Sequence, residues 1–313
     1  MAIKLRDYEV RLTRTKEERK QVRQLRYRVF VEEEGMQVGE EQKILCEEYD
    51  AYDRFADYMG VFHGDKLVGT YRIIDRDAAE KMDGFYTETE FDIAKLKNVK
   101  GNIAEMSRAC IEKEYRENGL VMPMLWMGLG EYIQKNKIKL LFGIASWVGT
   151  KPAESAQAIS YLYYNHLSPM SLRASVAVEN LEESINPKLT RMKILPKEFV
   201  NKDDAYKQMM PLIKGYLRLG ATFGKGVFIS NRDNSYEVFV CMLTRDISKA
   251  YQKRFTGDEN AFENLGLEDG AMKKFGKIMM FPFVGPFKVV LAITKFFLKE
   301  DADDAELVEE EKE

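Results

Sequence analysis

Residues 105 to 119 read Glu105-Met-Ser-Arg108-Ala-Cys110-Ile-Glu-Lys-Glu-Tyr115-Arg116-Glu-Asn-Gly119. An acid and a base sit on a run with strand character, and a short polar stretch closing on a glycine follows. Beyond it Met122, Leu125, Trp126, Leu129, Tyr132 and Ile133 recur at helical spacing, so strand, loop and helix stand in series. A loop that opens a helix turns free backbone N–H groups outward and suits a pyrophosphate. A carboxylate just upstream is placed to accept a proton from an amine. The combination points to acyl transfer from a pantetheine thioester to an amine.

Working outward, residues 102–111 are predicted as the strand, 120–136 as the helix and 138–146 as a second, apolar strand. A helix over 153–167 and strands near 172–178, 226–231 and 236–243 complete the C-terminal side. Upstream, residues 8–13 alternate as an edge strand, and Thr15 and Glu18 have capping-box spacing. The helix behind them carries Val22, Leu25, Val29 and Phe30 on one face, with Arg26 among them. Such an arginine either snorkels to the surface or meets a buried anion. Residues 32–54 are polar and irregular and end in Glu48-Tyr49-Asp50-Ala51-Tyr52-Asp53, where the two acids three apart, Asp50 and Asp53, could meet a metal, a cationic substrate or only water. Runs at 55–63 and 66–75 flank the turn His63-Gly64-Asp65-Lys66 as a hairpin, with Arg72 in the second run. Strands and helices mixed in this way imply an α/β domain around a central sheet.

The 313 residues allow a substantial core. Cys46, Cys110 and Cys241 are odd in number and widely spaced, which fits a reducing compartment and gives no disulfide framework or zinc spacing. Met1-Ala-Ile-Lys-Leu-Arg-Asp has no apolar signal region, so a cytoplasmic location is expected. His63 falls in a turn and His166 at a helix end, and neither is given a catalytic role. No metal site and no nucleic-acid motif is expected.

Charge is unevenly spread. Residues 300–313 hold nine acids and one lysine, so a chain of net charge −3 has a body of +5 over residues 1–299. A mildly basic body suits an acidic carrier protein or an anionic membrane, or is simply solvated. Residues 271–299 hold six lysines, no acids and many bulky apolar residues, broken by Pro282 and Pro286. They are too charged to span a bilayer and fit an amphipathic segment at a membrane interface, or a helix docked on the domain. The expected division is an acyltransferase domain over 1–256, a linker over 257–270, the interfacial segment over 271–299 and a disordered acidic tail over 300–313.

An ordered set of short motifs carries a family resemblance. Leu25-Arg26-Tyr-Arg-Val-Phe30, Asp50-Ala-Tyr-Asp53, Gly69-Thr-Tyr-Arg72 and Glu105-Met-Ser-Arg108 resemble the acyl-homoserine-lactone synthases. With Gly84-Phe-Tyr, Glu90-Phe-Asp, Tyr115-Arg116, Leu141-Phe-Gly-Ile-Ala-Ser146 and Ser160-Tyr-Leu-Tyr-Tyr-Asn, the set is more similar to the ornithine-lipid N-acyltransferase (hemolysin-like) group of the Gcn5-related N-acetyltransferase superfamily. The resemblance spans roughly residues 8–255. It implies a splayed mixed sheet flanked by helices, a 3-hydroxyacyl donor on acyl carrier protein or coenzyme A, no tightly bound cofactor, and an amino-acid acceptor such as ornithine. Another N-acyl amino acid or acyl-amide signal, or a non-catalytic acyl-carrier or membrane-binding module, stands as the alternative. Lactone synthases carry a tryptophan shortly after the position of Phe30, where this chain has Gly35-Met-Gln-Val, which argues against a lactone product.

The resemblance also implies roles. Glu105 would take the proton of the attacking amine, with Arg108 beside it. A regular strand points residues 105 and 108 to opposite faces, so a bulge between them is required to bring both into one cleft. Asp50 and Asp53 would hold the cationic groups of the amino acid, while Arg26, Phe30 and Arg72 shape the same cleft. Cys110, Arg116, Gly119 and Ser146 would line the acyl-pantetheine, although Val121 stands where a second small residue is expected.

Overall fold

A computed structural model describes residues 2–117, 119–177, 189–258 and 260–261. The sheet opens with the hairpin of β1 (Ala2–Leu5) and β2 (Tyr8–Leu12). Helix α1 (Lys16–Arg26) follows. Thr15 accepts the Glu18 N–H and the Glu18 carboxylate accepts the Thr15 N–H, both at 3.1 Å, closing the capping box. The helix widens into a π-helical turn over Tyr27–Glu33. Then come α2 (Glu40–Leu45), a 3-10 turn (Ala51–Arg54), β3 (Asp57–His63), β4 (Lys66–Asp75) and α3 (Arg76–Glu80). A second 3-10 turn (Tyr86–Thr89), β5 (Phe91–Asp92) and α4 (Ala94–Lys97) lead into β6 (Asn102–Ile111), α5 (Val121–Asn136) and β7 (Ile138–Val148). The remainder comprises α6 (Ala156–Asn165), β8 (Ser175–Val176), β9 (Leu189–Thr190), α7 (Lys202–Gln208), α8 (Pro211–Arg218), β10 (Thr222–Phe223), β11 (Val227–Ser230), β12 (Ser235–Leu243) and α9 (Lys249–Thr256).

The main sheet runs in the order β1-β2-β3-β4-β6-β7-β12-β11-β9, with β10 also on β12. Its neighbours are antiparallel except β6 and β7, which lie parallel from Asn102 opposite Ile138 to Met106 opposite Gly143. There the two strands part: β6 goes on against β4 to Ile111, and β7 against β12 to Val148. The sheet therefore splays like a fork. A Cβ on Gly143 would lie 2.2 Å from the Met106 carbonyl oxygen, so only glycine lets the strands approach at this point.

Side chains alternate between two layers. Val68, Tyr71 and Ile73 of β4 pack under α5 with Met124, Leu125 and Leu129. Leu67 and Ile74 point the other way and meet Val22 and Leu25 of α1. The same alternation places Arg72 and Glu105 on the α1 side, where both are fully buried.

Some expectations need correction. The strand at 8–13 is not the edge, because β1 covers it. Only Ile3 and Leu5 of β1 reach the core, too short a pattern to read. The stretch 32–54 is not irregular throughout: the π turn reaches into it and α2 lies within it. No residue of α2 is buried, so it carries no apolar period. The strand near 172–178 shrinks to β8, which pairs with β5 in a separate two-stranded sheet. His63 is not simply a solvated turn residue: it sits opposite Tyr8, stacks on that ring at 4.4 Å and meets the Tyr115 hydroxyl at 3.1 Å. The expected segments at 271–299 and 300–313 lie outside the described residues.

Candidate active site

The site is built where β4, β6 and the 3-10 turn after α2 face α1. The predicted bulge is present. Arg72 lies opposite Ser107 and Thr70 opposite Cys110, so β6 spends one extra residue there, and Arg108 takes φ of 51°. That extra residue swings Arg108 onto the face already holding Arg72 and Glu105.

Three arginines and three carboxylates interlock. Arg26 is fully buried, donates to Glu48, and reaches Asp53 at 2.8 Å and the Tyr58 hydroxyl at 3.2 Å. Arg72, equally buried, donates to Asp50 at 2.6 Å, Asp53 at 3.0 Å and Ser107 at 3.0 Å. Arg108 lies 3.6 Å from Glu48 and 3.8 Å from Asp50, and its guanidinium rests over the rings of Tyr86 at 4.7 Å and Phe30 at 5.9 Å. Burial opposes the charge on Asp53, yet Arg26 and Arg72 hold it far below the usual carboxylate range. Glu48 is likewise buried, and Arg26 and Arg108 keep it low. The cluster is close to electroneutral, as buried charges must be. Donor capacity remains: Arg72 Nη2 and both Nε and Nη2 of Arg108 are buried without a hydrogen-bond acceptor.

Glu105 behaves differently. Its Oε2 accepts the Thr87 N–H at 3.0 Å, while Oε1 is buried with no hydrogen bond. Burial pushes its pKa up, more than Arg72, the Thr87 N–H and the Ser107 hydroxyl pull it back. A buried carboxylate of raised pKa with one free oxygen is suited to take a proton. It forms no ion pair with Arg108, which belongs to Glu48 and Asp50.

The structure thus brings together Arg26, Phe30, Asp50, Asp53, Arg72 and Arg108, with Glu105 beside them across Ser107. Asp50 and Asp53 are neutralised by arginines rather than left for a cationic substrate. Cys110 is buried further along β6, and burial pushes its thiol up. Gly119 takes φ of 63° ahead of α5, and Arg116 is exposed and pairs with Glu33 at 2.8 Å. Ser146 is exposed on β7, opposite Glu237 of β12. Sequence reasoning missed Glu48, Tyr58 and Ser107. Glu48 was visible only as one acid among many in a polar stretch.

Two cavities adjoin the site. One of about 340 Å³ opens among Gln37, Gln42, Tyr49, Asp50 and Arg232. The other is narrow and apolar, lined at the fork by Met106 and Gly143 and beyond it by Tyr71, Trp126 and Tyr216. The Tyr71 and Tyr216 hydroxyls bond to each other inside it. A separate buried group, Glu90, Asp233 and Glu237, has one carboxylate oxygen from each within 4.8 Å of the others. Tyr86 links it to the arginines, since its hydroxyl lies 3.3 Å from both Glu90 and Asp233.

Residues 25–127 match the family described as acetyltransferase (GNAT) domain. The splayed mixed sheet with its flanking helices is GNAT-like. Curated relatives extend the match over most of the chain. An L-ornithine N(alpha)-acyltransferase of Rhizobium meliloti (strain 1021) is 34% identical over 271 residues, 83% of this chain and 88% of that protein. One of Brucella abortus (strain 2308) is 32% identical over 264 residues, 81% and 90% of the two chains. The chain belongs to the L-ornithine N(alpha)-acyltransferase family. Among solved structures, it is similar to FeeM, an N-acyl amino acid synthase from uncultured soil microbes, at 13% identity and a TM-score of 0.37, covering 76% of this chain and 91% of that one. It is also similar to the acyl-homoserine-lactone synthase LasI, at 15% identity and a TM-score of 0.39, covering 80% and 95%.

Proposed function

We propose that this protein moves a (3-hydroxy)fatty acyl group from acyl carrier protein to the α-amine of ornithine, forming an N-acyl amino acid of the lyso-ornithine-lipid type. The observation that carries the reading is Glu105, buried with one free oxygen beside an arginine-lined cleft at the fork. The names of the relatives favour ornithine as acceptor, and the basic body suits an acidic carrier.

An amino-acid α-amine is largely protonated at neutral pH and cannot attack until it loses a proton. Glu105 takes it, directly or through water. The nitrogen lone pair then attacks the thioester carbonyl, the C–N bond forms, and the tetrahedral oxyanion collapses. The C–S bond breaks, and the departing thiolate takes the second proton that the nitrogen sheds as it becomes an amide. Beyond Met106, β6 no longer pairs with β7, so its backbone N–H groups on that edge are free for the oxyanion. The unpaired donors of Arg72 and Arg108 serve the substrate carboxylate. Cys110, Arg116, Gly119 and Ser146 flank the pantetheine, and the apolar cavity behind Met106 and Gly143 takes the acyl chain. Residues 271–299 hold the enzyme at the inner membrane surface. No described helix is long and apolar enough to cross a membrane.

The test is to incubate purified protein with 3-hydroxyacyl carrier protein and a pool of amino acids, with Glu105→Ala alongside, and to identify amide products by mass spectrometry. One acylated amino acid, lost in the variant, supports the reading. No product with any amino acid or acyl length defeats it in favour of a binding module.

A further inference from the structure

We infer that Glu90, Asp233 and Glu237 form the subsite for the side-chain ammonium of a dibasic amino-acid acceptor and so set the enzyme's preference for it. The inference rests on the proposed acyl transfer to an amino acid.

Charge balance is the first ground. A dibasic amino acid brings two amines and one carboxylate. Asp50, Asp53 and Glu48 are matched one for one by Arg26, Arg72 and Arg108, so that cluster has no negative charge to spare for a second ammonium. Glu90, Asp233 and Glu237 do. Arg232 at the rim lies 3.3 Å from Asp233 but is half exposed, and the carboxylates still outnumber their cations.

The second ground is unmet hydrogen bonding. Glu90 and Glu237 are each 4% exposed, and the Asp233 side chain 8%. Yet no donor of the protein bonds Glu90 Oε2 or Glu237 Oε2, and Asp233 Oδ1 has only Arg232 Nε, in an ion pair at 3.3 Å. The Tyr86 hydroxyl meets only Glu90 Oε1 and Asp233 Oδ2, and Ser235 only Glu237 Oε1. One carboxylate oxygen from each of the three residues lies within 4.8 Å of the others, and three such acceptors match a tetrahedral ammonium with three N–H donors. Unpaired buried carboxylates are costly, and a buried cation relieves them.

The third ground is placement. The ring of Tyr86 lies under Arg108 and Arg72 while its hydroxyl touches Glu90 and Asp233. The next residue, Thr87, donates to Glu105. One 3-10 turn therefore joins the carboxylate donors, the proton acceptor and the acidic group, with the Tyr86 side chain running between the arginines and the acids. The larger cavity has Asp50 on one wall and Arg232, next to Asp233, on another. Burial and then Glu237 push Glu90 well up toward its protonated form, and an ammonium seated there would draw it back down and release a proton.

The test compares ornithine with norvaline, which has the same carbon skeleton but no side-chain amine, in the full chain and in Glu237→Gln, Glu90→Gln and Asp233→Asn. Wild type is expected to favour ornithine in kcat/KM by about 10²-fold or more, because a site built for a polar group rejects the analogue lacking it. That ratio should fall toward one in the variants. Calorimetric titration of ornithine should release a proton in wild type, seen as a buffer-dependent heat, and not in Glu90→Gln. If the buried glutamates prove too disruptive, the half-buried Asp233→Asn carries the test. A ratio unchanged while both rates drop, or a Mg²⁺ or Ca²⁺ affinity that Glu237→Gln abolishes without changing the ratio, overturns the inference. If no amino acid is acylated but ornithine binds more tightly than norvaline, and the variants erase the difference, the reaction fails and the subsite stands.

Discussion

At the residue scale, two buried carboxylates near one another are driven in opposite directions. Glu105 has its pKa raised, so its base form fills only as pH rises through a value above that of a solvent-exposed glutamate. The acid limb of the kcat/KM profile should sit correspondingly high. Glu105→Gln should lower kcat by about 10²- to 10⁴-fold with little effect on KM. An unchanged limb in wild type, or an active Glu105→Gln, would remove Glu105 from the proton path. Glu48 is held low, so its contribution to stability is present above the unfolded-state carboxylate pKa of about 4.3 and is lost as pH falls through the folded value. Glu48→Gln leaves Arg26 short of its partner and should cost roughly 3–5 kcal/mol at neutral pH. Denaturant titrations of variant and wild type should draw together only as pH falls through that lowered value. Arg26 was legible as a charge on an apolar face. Its partner Glu48 was not, because loop acids carry no periodicity. Glu90, Asp233 and Glu237 meet only because the 3-10 turn before β5 packs against β12, which no local pattern encodes.

At the element scale, β6, α5 and β7 fell almost where their periodicity placed them, since each is long and buried on a defined face. The bulge at Arg108 could be required from the chemistry but not read from propensity, because arginine has no preference for φ above zero. Several helices escaped: the π turn, whose apolar residues read as ordinary α-helix, α2, which has no buried residue, and the short α3, α4, α7, α8 and α9. Thr15→Ala removes one side of a closed capping box and should cost about 1 kcal/mol in thermal or denaturant unfolding. Gly143→Ala should cost more, roughly 1–3 kcal/mol or above, because its Cβ meets the backbone of β6 and not a side chain that can turn away. It should also reduce turnover by forcing β6 and β7 apart at the base of the fork; a variant with wild-type kcat would separate the fork from catalysis.

At the scale of the whole molecule, the described core ends with α9, where Phe255 stacks on Trp126 at 5.8 Å. A chain ending at Ala261 should therefore keep its thermal midpoint and its turnover of soluble substrates. The same chain should lose co-sedimentation with anionic vesicles if residues 271–299 are the membrane segment; retained binding would move the membrane surface onto the domain. The sheet, its order of motifs and its cleft were within reach of the sequence, whereas the strand order that joins β12 to the cleft had to be seen.

The interlocked arginines and acids also bear on how such a cleft can change over evolutionary time. Arg26, Glu48, Asp50, Asp53, Arg72 and Arg108 come from five separate elements or loops, and each neutralises at least one other. Replacing any one strands a buried charge at a cost of roughly 3–5 kcal/mol, which favours drift by paired, compensating replacements. Novel acceptors are then reached most readily through neighbours outside the network, whose alteration leaves its ledger of charges untouched.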